Sequence, residues 1–162
     1  MLSKKVVMLG LYGVGKTSLV QRFVNSIFDE KYLATLGVKV DKKIVQIDDV
    51  QVNLMLWDIA GAEDHFDVPL SYIKGASGYL LVVDGTRQDS LVKAMDLVNT
   101  VEEGIGNLPF VMVINKNDLE WKITESDIEQ ALAEYDTAWY STSAKTGENV
   151  DRVFEQIARL VT

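Results

Sequence analysis

Eight residues, Gly10-Leu11-Tyr12-Gly13-Val14-Gly15-Lys16-Thr17, restrict this chain more than any other stretch. A Gly, four residues, then Gly-Lys-Thr is a spacing that curls backbone around a small anion. Its flanks decide whether it does so here. Val6-Val7-Met8-Leu9 before it is a short apolar run, the mark of a buried strand. Leu19, Val20, Phe23, Val24 and Ile27 after it recur at helical spacing. The stretch therefore reads as strand, turn and helix, the context the spacing requires. The plainer alternative is an ordinary glycine-rich turn between two elements.

The residue types say how such a loop works. Glycine takes positive φ and lets backbone approach a ligand with no Cβ in the way. Successive N–H groups then point into one concavity that holds an anion. The helix that follows adds unpaired N–H groups and the positive end of its dipole. Lys16 sets a point charge on the outer phosphates, and the Thr17 hydroxyl offers an oxygen to Mg²⁺. Gly10, Tyr12, Gly13, Val14, Gly15, Lys16, Thr17 and Ser18 are thus the candidate phosphate cradle.

Charge narrows the partners. The formal net charge of −8 argues against sequence-independent binding to nucleic acid and against electrostatic docking on anionic lipid. The chain has no Cys, which excludes disulfides, thiolate zinc sites, a cysteine nucleophile and prenylation. Its 162 residues hold no secretory h-region and no apolar stretch of about 18 residues. The expectation is a cytoplasmic protein with no direct membrane anchor in this chain.

At 162 residues one domain is expected. Strand-like and helix-like segments alternate, which predicts an α/β fold: a six-stranded, mostly parallel sheet with one antiparallel edge strand and about five helices in three layers. The predicted strands are Lys5–Leu9, Val38–Ile47, Gln51–Trp57, Gly78–Asp84, Pro109–Ile114 and Ala138–Tyr140. Alternation slips at Lys42-Lys43, which predicts a bulge in an edge strand. Thr86-x-x-Asp89 and Thr124-x-x-Asp127 read as capping boxes. Phe28 to Leu36 and Asp58 to Val68 are aperiodic and read as loops, long enough to be functional.

Ligands of open parallel sheets lie beyond the carboxyl ends of the strands. Four polar clusters fall there in order: the phosphate loop, Asp58-Ile59-Ala60-Gly61, Asn115-Lys116-Asn117-Asp118 and Ser143-Ala144-Lys145. Asp58 ends an apolar strand, as a magnesium-supporting carboxylate does, acting directly or through a retained water. Gly61 can present a bare N–H to a terminal phosphate. A carboxylate at Asp118 can accept parallel hydrogen bonds from guanine N1–H and N2–H₂, a pair adenine lacks. The Lys116 stem can lie along the base, and the Ala144 N–H can reach O6. Taken alone, Asn115–Asp118 also suits a plain polar turn.

With these motifs in place, the chain resembles the Ras superfamily of small GTPases, and within it the Rab branch. Trp57-Asp58-Ile59-Ala60-Gly61 is similar to the family's Trp-Asp-Thr-Ala-Gly, and Ser71-Tyr72-Ile73-Lys74-Gly75-Ala76 to its Ser-Tyr-Tyr-Arg-Gly-Ala. The short span between Asp118 and Thr124 leaves no room for the extra helix of the Rho branch. The resemblance implies GTP and GDP as bound nucleotides with Mg²⁺, and a switch controlled by exchange and activating proteins and read by effectors. It also implies that Phe28 packs on the guanine, that Tyr32 covers the phosphates, and that Thr35 completes the metal set of Thr17, Thr35 and Asp58. Phe28–Gly37 and Ala60–Tyr72 become the two switch loops, with Lys16, Thr35 and Gly61 around the reacting phosphate.

Two residues depart from the pattern. Ala62 stands where the family usually has a Gln that orients the attacking water. Tyr12 stands where it usually has a small residue, Gly in Ras itself, and a phenol there crowds the space for an inserted arginine. Slow hydrolysis and a long-lived GTP state are the expectation. The Tyr12 hydroxyl, Glu63, Asp64 and His65, the chain's single histidine, are candidates to compensate. A module that binds GTP without hydrolysing it is the competing reading. A small-metabolite kinase is a third, disfavoured by the guanine-directed residues and the lack of a basic lid.

Overall fold

Two runs of the chain, Gly78–Asp84 and Phe110–Asn115, are buried at every position, which only the centre of a sheet covered on both faces allows. The computed structural model describes residues 2–24, 31–33, 38–59 and 69–162, with the backbone alone described at 31–33 and 59. The elements are β1 (Leu2–Leu9), α1 (Lys16–Val24), β2 (Lys31–Leu33), β3 (Val38–Ile47), β4 (Val50–Ile59), α2 (Leu70–Ile73), β5 (Gly78–Asp84), α3 (Gln88–Gly104), β6 (Phe110–Asn115), α4 (Glu125–Ala131), β7 (Trp139–Ser141) and α5 (Val150–Val161). They form one sheet in the order β2-β3-β4-β1-β5-β6-β7. The ladders from β4 through β1, β5 and β6 to β7 are parallel, and β3 runs antiparallel to both of its neighbours. The expected six-stranded sheet is present, and the three-residue β2 extends its edge.

One core lies on each face. Leu19, Val20 and Phe23 of α1 and Val153, Phe154 and Ile157 of α5 pack with Val6, Leu54 and Leu80 on the first. Phe23 and Phe154 stack there with ring centroids 4.1 Å apart. Ala94, Val98 and Val101 of α3 and Ile128 of α4 cover Val7, Leu81 and Met112 on the second. The result is the three-layer α/β/α arrangement, and it sets all parallel strand ends on one rim.

Three local expectations need correction. The β3–β4 register runs unbroken from Val38 opposite Ile59 to Ile47 opposite Val50, so no bulge exists at Lys42-Lys43. The alternation slips because Lys43 turns inward, donating to the Phe23 carbonyl at 2.5 Å with its ammonium 4.2 Å from the Phe23 ring centroid. Thr86 does not cap α3. Its N–H and hydroxyl both donate to Asp84 Oδ1, at 2.8 and 2.7 Å, because a buried carboxylate outcompetes a helix end for two donors. Lys31–Leu33, within the segment read as loop, is a strand paired with Val38–Val40. The box at Thr124 does form: Asp127 N–H donates to Thr124 Oγ1 at 3.1 Å, and Thr124 N–H to Asp127 Oδ2 at 2.9 Å.

Candidate nucleotide site

The loop between β1 and α1 has its carbonyls held by side chains. Lys16 Nζ donates to the oxygens of Gly10 and Leu11 at 2.8 and 3.3 Å. Arg87 Nη1 holds the Tyr12 oxygen at 2.8 Å, Lys116 Nζ the Gly13 oxygen at 3.0 Å, and Asn115 Nδ2 the Val14 oxygen at 3.0 Å. Across a planar trans peptide, the N–H points opposite to the C=O. Five anchored carbonyls therefore fix the directions of the amides that follow them, of which Val14 N–H reaches Leu11 O at 3.4 Å. The first bond of α1 runs from Leu19 N–H to Gly15 O, so the amides of Lys16, Thr17 and Ser18 have no partner within the helix. Free amides in such a loop are the donors an anion-holding concavity requires.

Two glycines are required by contact as well as by φ. A Cβ on Gly10, at φ +152°, would sit 2.4 Å from the Val82 carbonyl oxygen. A Cβ on Gly15, at φ +106°, would sit 2.3 Å from Asn115 Nδ2.

Thr17 and Asp58 meet below the loop, where the Thr17 hydroxyl donates to Asp58 Oδ2 at 2.5 Å. Asp58 is buried, and its Oδ1 has no hydrogen-bond partner among the described residues. Burial raises the Asp58 carboxyl above its ordinary range, while the Thr17 hydroxyl and the ammoniums of Lys16 and Lys39 act in the opposite sense. Burial likewise lowers Lys16, opposed by the Asp58 charge. A buried carboxylate oxygen without a partner, beside a hydroxyl oxygen, is a donor set that suits a hard cation such as Mg²⁺.

The ends of β6 and β7 build the other wall. Asn115 Oδ1 accepts from Thr142 Oγ1 at 3.1 Å and from the Ala144 N–H at 3.2 Å, so the amide expected to meet a base is bonded to Asn115 here. Lys116 adopts φ +70°, and its ammonium lies 2.8 Å from Asp84 Oδ2. Asp118 Oδ1 accepts from the Ser143 hydroxyl at 2.8 Å. A cavity of about 510 Å³ opens between the walls, lined by Gly15, Ser18, Asn115, Lys116, Asp118, Ala144 and Lys145 among others.

Sequence reasoning missed three supports of this site. Asp84, the last residue of β5, and Arg87 just beyond it hold Lys116 and the Tyr12 carbonyl. Trp121 donates its indole N–H to the Lys116 carbonyl at 3.1 Å and lies against Gly85, where any Cβ would collide with the ring. Asp84 had a signal, since it ends an apolar strand just as Asp58 does. Tyr12 is half exposed. The expectations for Phe28, Thr35, Gly61, Ala62, Glu63, Asp64 and His65, and for the Tyr32 side chain, lie outside the described residues.

A strand, a glycine loop with side-chain-anchored carbonyls and a helix, set on the rim of a mostly parallel sheet, define a phosphate-loop α/β protein. The Ras family model matches residues 5–162, and the chain belongs to that family. It is 33% identical over 159 residues to the Ras-related protein SEC4 of Saccharomyces cerevisiae, covering 97% of this chain and 74% of that protein. It is 31% identical over 158 residues to the Ras-related protein Rab-13 of Rattus norvegicus, covering 96% and 78%. It is thus a Rab-like, GTP-binding small GTPase, of a family that works through regulators and effectors. No helix among the described residues is long and apolar enough to cross a membrane.

Proposed function

We propose that this chain is a guanine-nucleotide switch with a slow turnover step and a long-lived GTP state. The observation that carries the site assignment is the part-buried Thr17–Asp58 contact with its unpartnered carboxylate oxygen, beside a loop of side-chain-anchored carbonyls. Gly10, Tyr12, Gly13, Val14, Gly15, Lys16, Thr17 and Ser18 hold the phosphates. Asn115, Lys116, Asp118, Ser143, Ala144 and Lys145, with Phe28, hold the guanine. Thr17, Thr35 and Asp58 hold Mg²⁺, which when bound neutralises charge developing on the β- and γ-phosphates.

In this reading Lys16 orients the outer phosphates, and Gly61 and Thr35 report the γ-phosphate to the loops at 28–37 and 60–72. Tyr32 closes over the phosphates. Exchange, activating and effector proteins act through those loops. Ala62 has no group to orient water, which supports a slow step. Tyr12, half exposed on the loop, crowds the approach of an arginine from a partner.

Denaturing the purified protein and chromatographing the released nucleotide tests the reading. GDP supports a switch that turns over, and GTP a switch stalled in its active state. An adenine nucleotide overturns the guanine assignment at Asp118.

A further inference from the structure

β3 places charge on a face where its partner strand is apolar. Lys39, Asp41 and Lys43 stand opposite Asp58, Leu56 and Leu54 in register, and both leucines belong to the core under α1 and α5. Lys39 and Asp41 are each only 4% exposed, and their charged ends lie 3.8 Å apart. Lys43 reaches the Phe23 carbonyl in the last turn of α1. A row of alternating charge therefore runs from the end of α1 to the carboxylate of Asp58. Lys39 ends that row.

Burying an ammonium costs several kcal/mol, roughly, unless counter-charges offset it. Asp41 supplies one at 3.8 Å, and the Asp58 carboxylate stands opposite Lys39 in register, on the same face and also buried. The attraction is mutual: Lys39 favours the charged form of Asp58, as does Lys16. The two lysines differ in one respect. Lys16 sits in the phosphate loop with its ammonium on the Gly10 and Leu11 carbonyls, whereas Lys39 is fixed in a strand.

We propose that Lys39 is a built-in counter-charge to Asp58 that weakens the hold on Mg²⁺ and stabilises the nucleotide-bound state after the metal leaves. This rests on the reading of Asp58 as the magnesium-supporting carboxylate. A divalent cation beside Asp58 is repelled by an ammonium carried on the residue directly opposite that carboxylate in register. When the cation leaves, the buried carboxylate still faces a positive charge across the strand pair. Nucleotide retention is then less dependent on Mg²⁺ than the donor set alone dictates. Lys39 is a positioning residue in this account and touches no nucleotide.

The test follows release of a fluorescent methylanthraniloyl-GDP from the full chain while free Mg²⁺ is varied from chelated to millimolar. Lys39→Gln is expected to lower the Mg²⁺ concentration for half-maximal retention by about tenfold, and to widen the ratio of chelated to saturated release rates. Lys39→Arg keeps the charge and should stay near wild type. Mn²⁺ titration followed by electron paramagnetic resonance, with GDP bound, should show the same tightening without reference to turnover. If Lys39→Gln does not fold, the pair Lys39→Met with Asp41→Leu replaces both charges by apolar groups, and a tightening in the same direction but smaller is expected, because the negative charge of Asp41 is lost with the ammonium; no tightening overturns the role of Lys39. Unchanged half-saturation in the folded variant, with wild-type retention still responding to Mg²⁺, overturns the role of Lys39 alone. Wild-type retention that ignores Mg²⁺ overturns the assignment of Asp58 and this inference with it.

Discussion

The side-chain amide of Asn115 donates to the Val14 carbonyl at 3.0 Å, joining the base-side wall to the phosphate loop across 101 residues of sequence. Its carbonyl oxygen accepts from Thr142 and Ala144, so one buried side chain ties three segments of the site together. Asn115→Ala leaves the Val14 oxygen, the Thr142 hydroxyl and the Ala144 amide without that partner. The expected loss is about 2–4 kcal/mol of stability, with a parallel loss of nucleotide affinity. Urea denaturation and GDP binding measure the two. Full affinity in a destabilised variant would show that Asn115 braces the fold but not the site.

Gly15 meets the same side chain from the other side. Gly15→Ala forces a Cβ to within 2.3 Å of Asn115 Nδ2 at a backbone angle that alanine resists. Gly75 provides the comparison, with φ +84° and nothing within 4 Å of a built Cβ. Gly75→Ala should cost only its backbone strain, about 1–2 kcal/mol. Gly15→Ala should cost more than that and also weaken GDP binding. Equal costs in denaturant would show that the loop gives way at Gly15.

The sheet and the order of its polar rim were legible because their signals are local. Gly78–Asp84 and Phe110–Asn115 are apolar along their whole length, and each polar cluster follows a strand directly. What the sequence hid was competition between partners. Thr86 carries the spacing of a helix cap, yet Asp84 takes both of its donors. Lys43 reads as a break in a strand, yet it folds inward to a helix end. Arg87 and Trp121 hold the site through backbone carbonyls, and no side-chain motif records a carbonyl partner.

Asp84 makes the acid limb of stability specific. Burial pushes its carboxyl up, but the Lys116 ammonium and the two Thr86 donors outweigh burial and hold it below the usual carboxylate range. A depressed folded value stabilises the native state above the unfolded value of about 3.9, and that contribution is lost as pH falls through the folded value. Lys116→Met is expected to cost about 1–3 kcal/mol at neutral pH. That is less than breaking a fully buried pair, because Lys116 is 33% exposed and water screens part of the charge. The difference between wild type and variant should shrink as pH falls below about 4. A difference that stays constant through that range in pH-dependent urea unfolding would remove Asp84 as the cause.

Turnover is where Ala62 and Tyr12 give this chain its own prediction. A methyl group at position 62 neither donates nor accepts a hydrogen bond, so nothing there holds a water in line with the γ-phosphate. Ala62→Gln supplies both functions and should raise the single-turnover rate of GTP hydrolysis. A wild-type rate equal to or above that of the Gln variant would show that Ala62 does not limit the step. Tyr12→Gly should change the response to an added arginine-bearing activator more than the intrinsic rate, since the phenol restricts access rather than water. If both residues border the same water, the double variant departs from the product of the two single effects, as coupled neighbours do. Multiplicative effects would instead place Tyr12 and Ala62 on separate parts of the reaction.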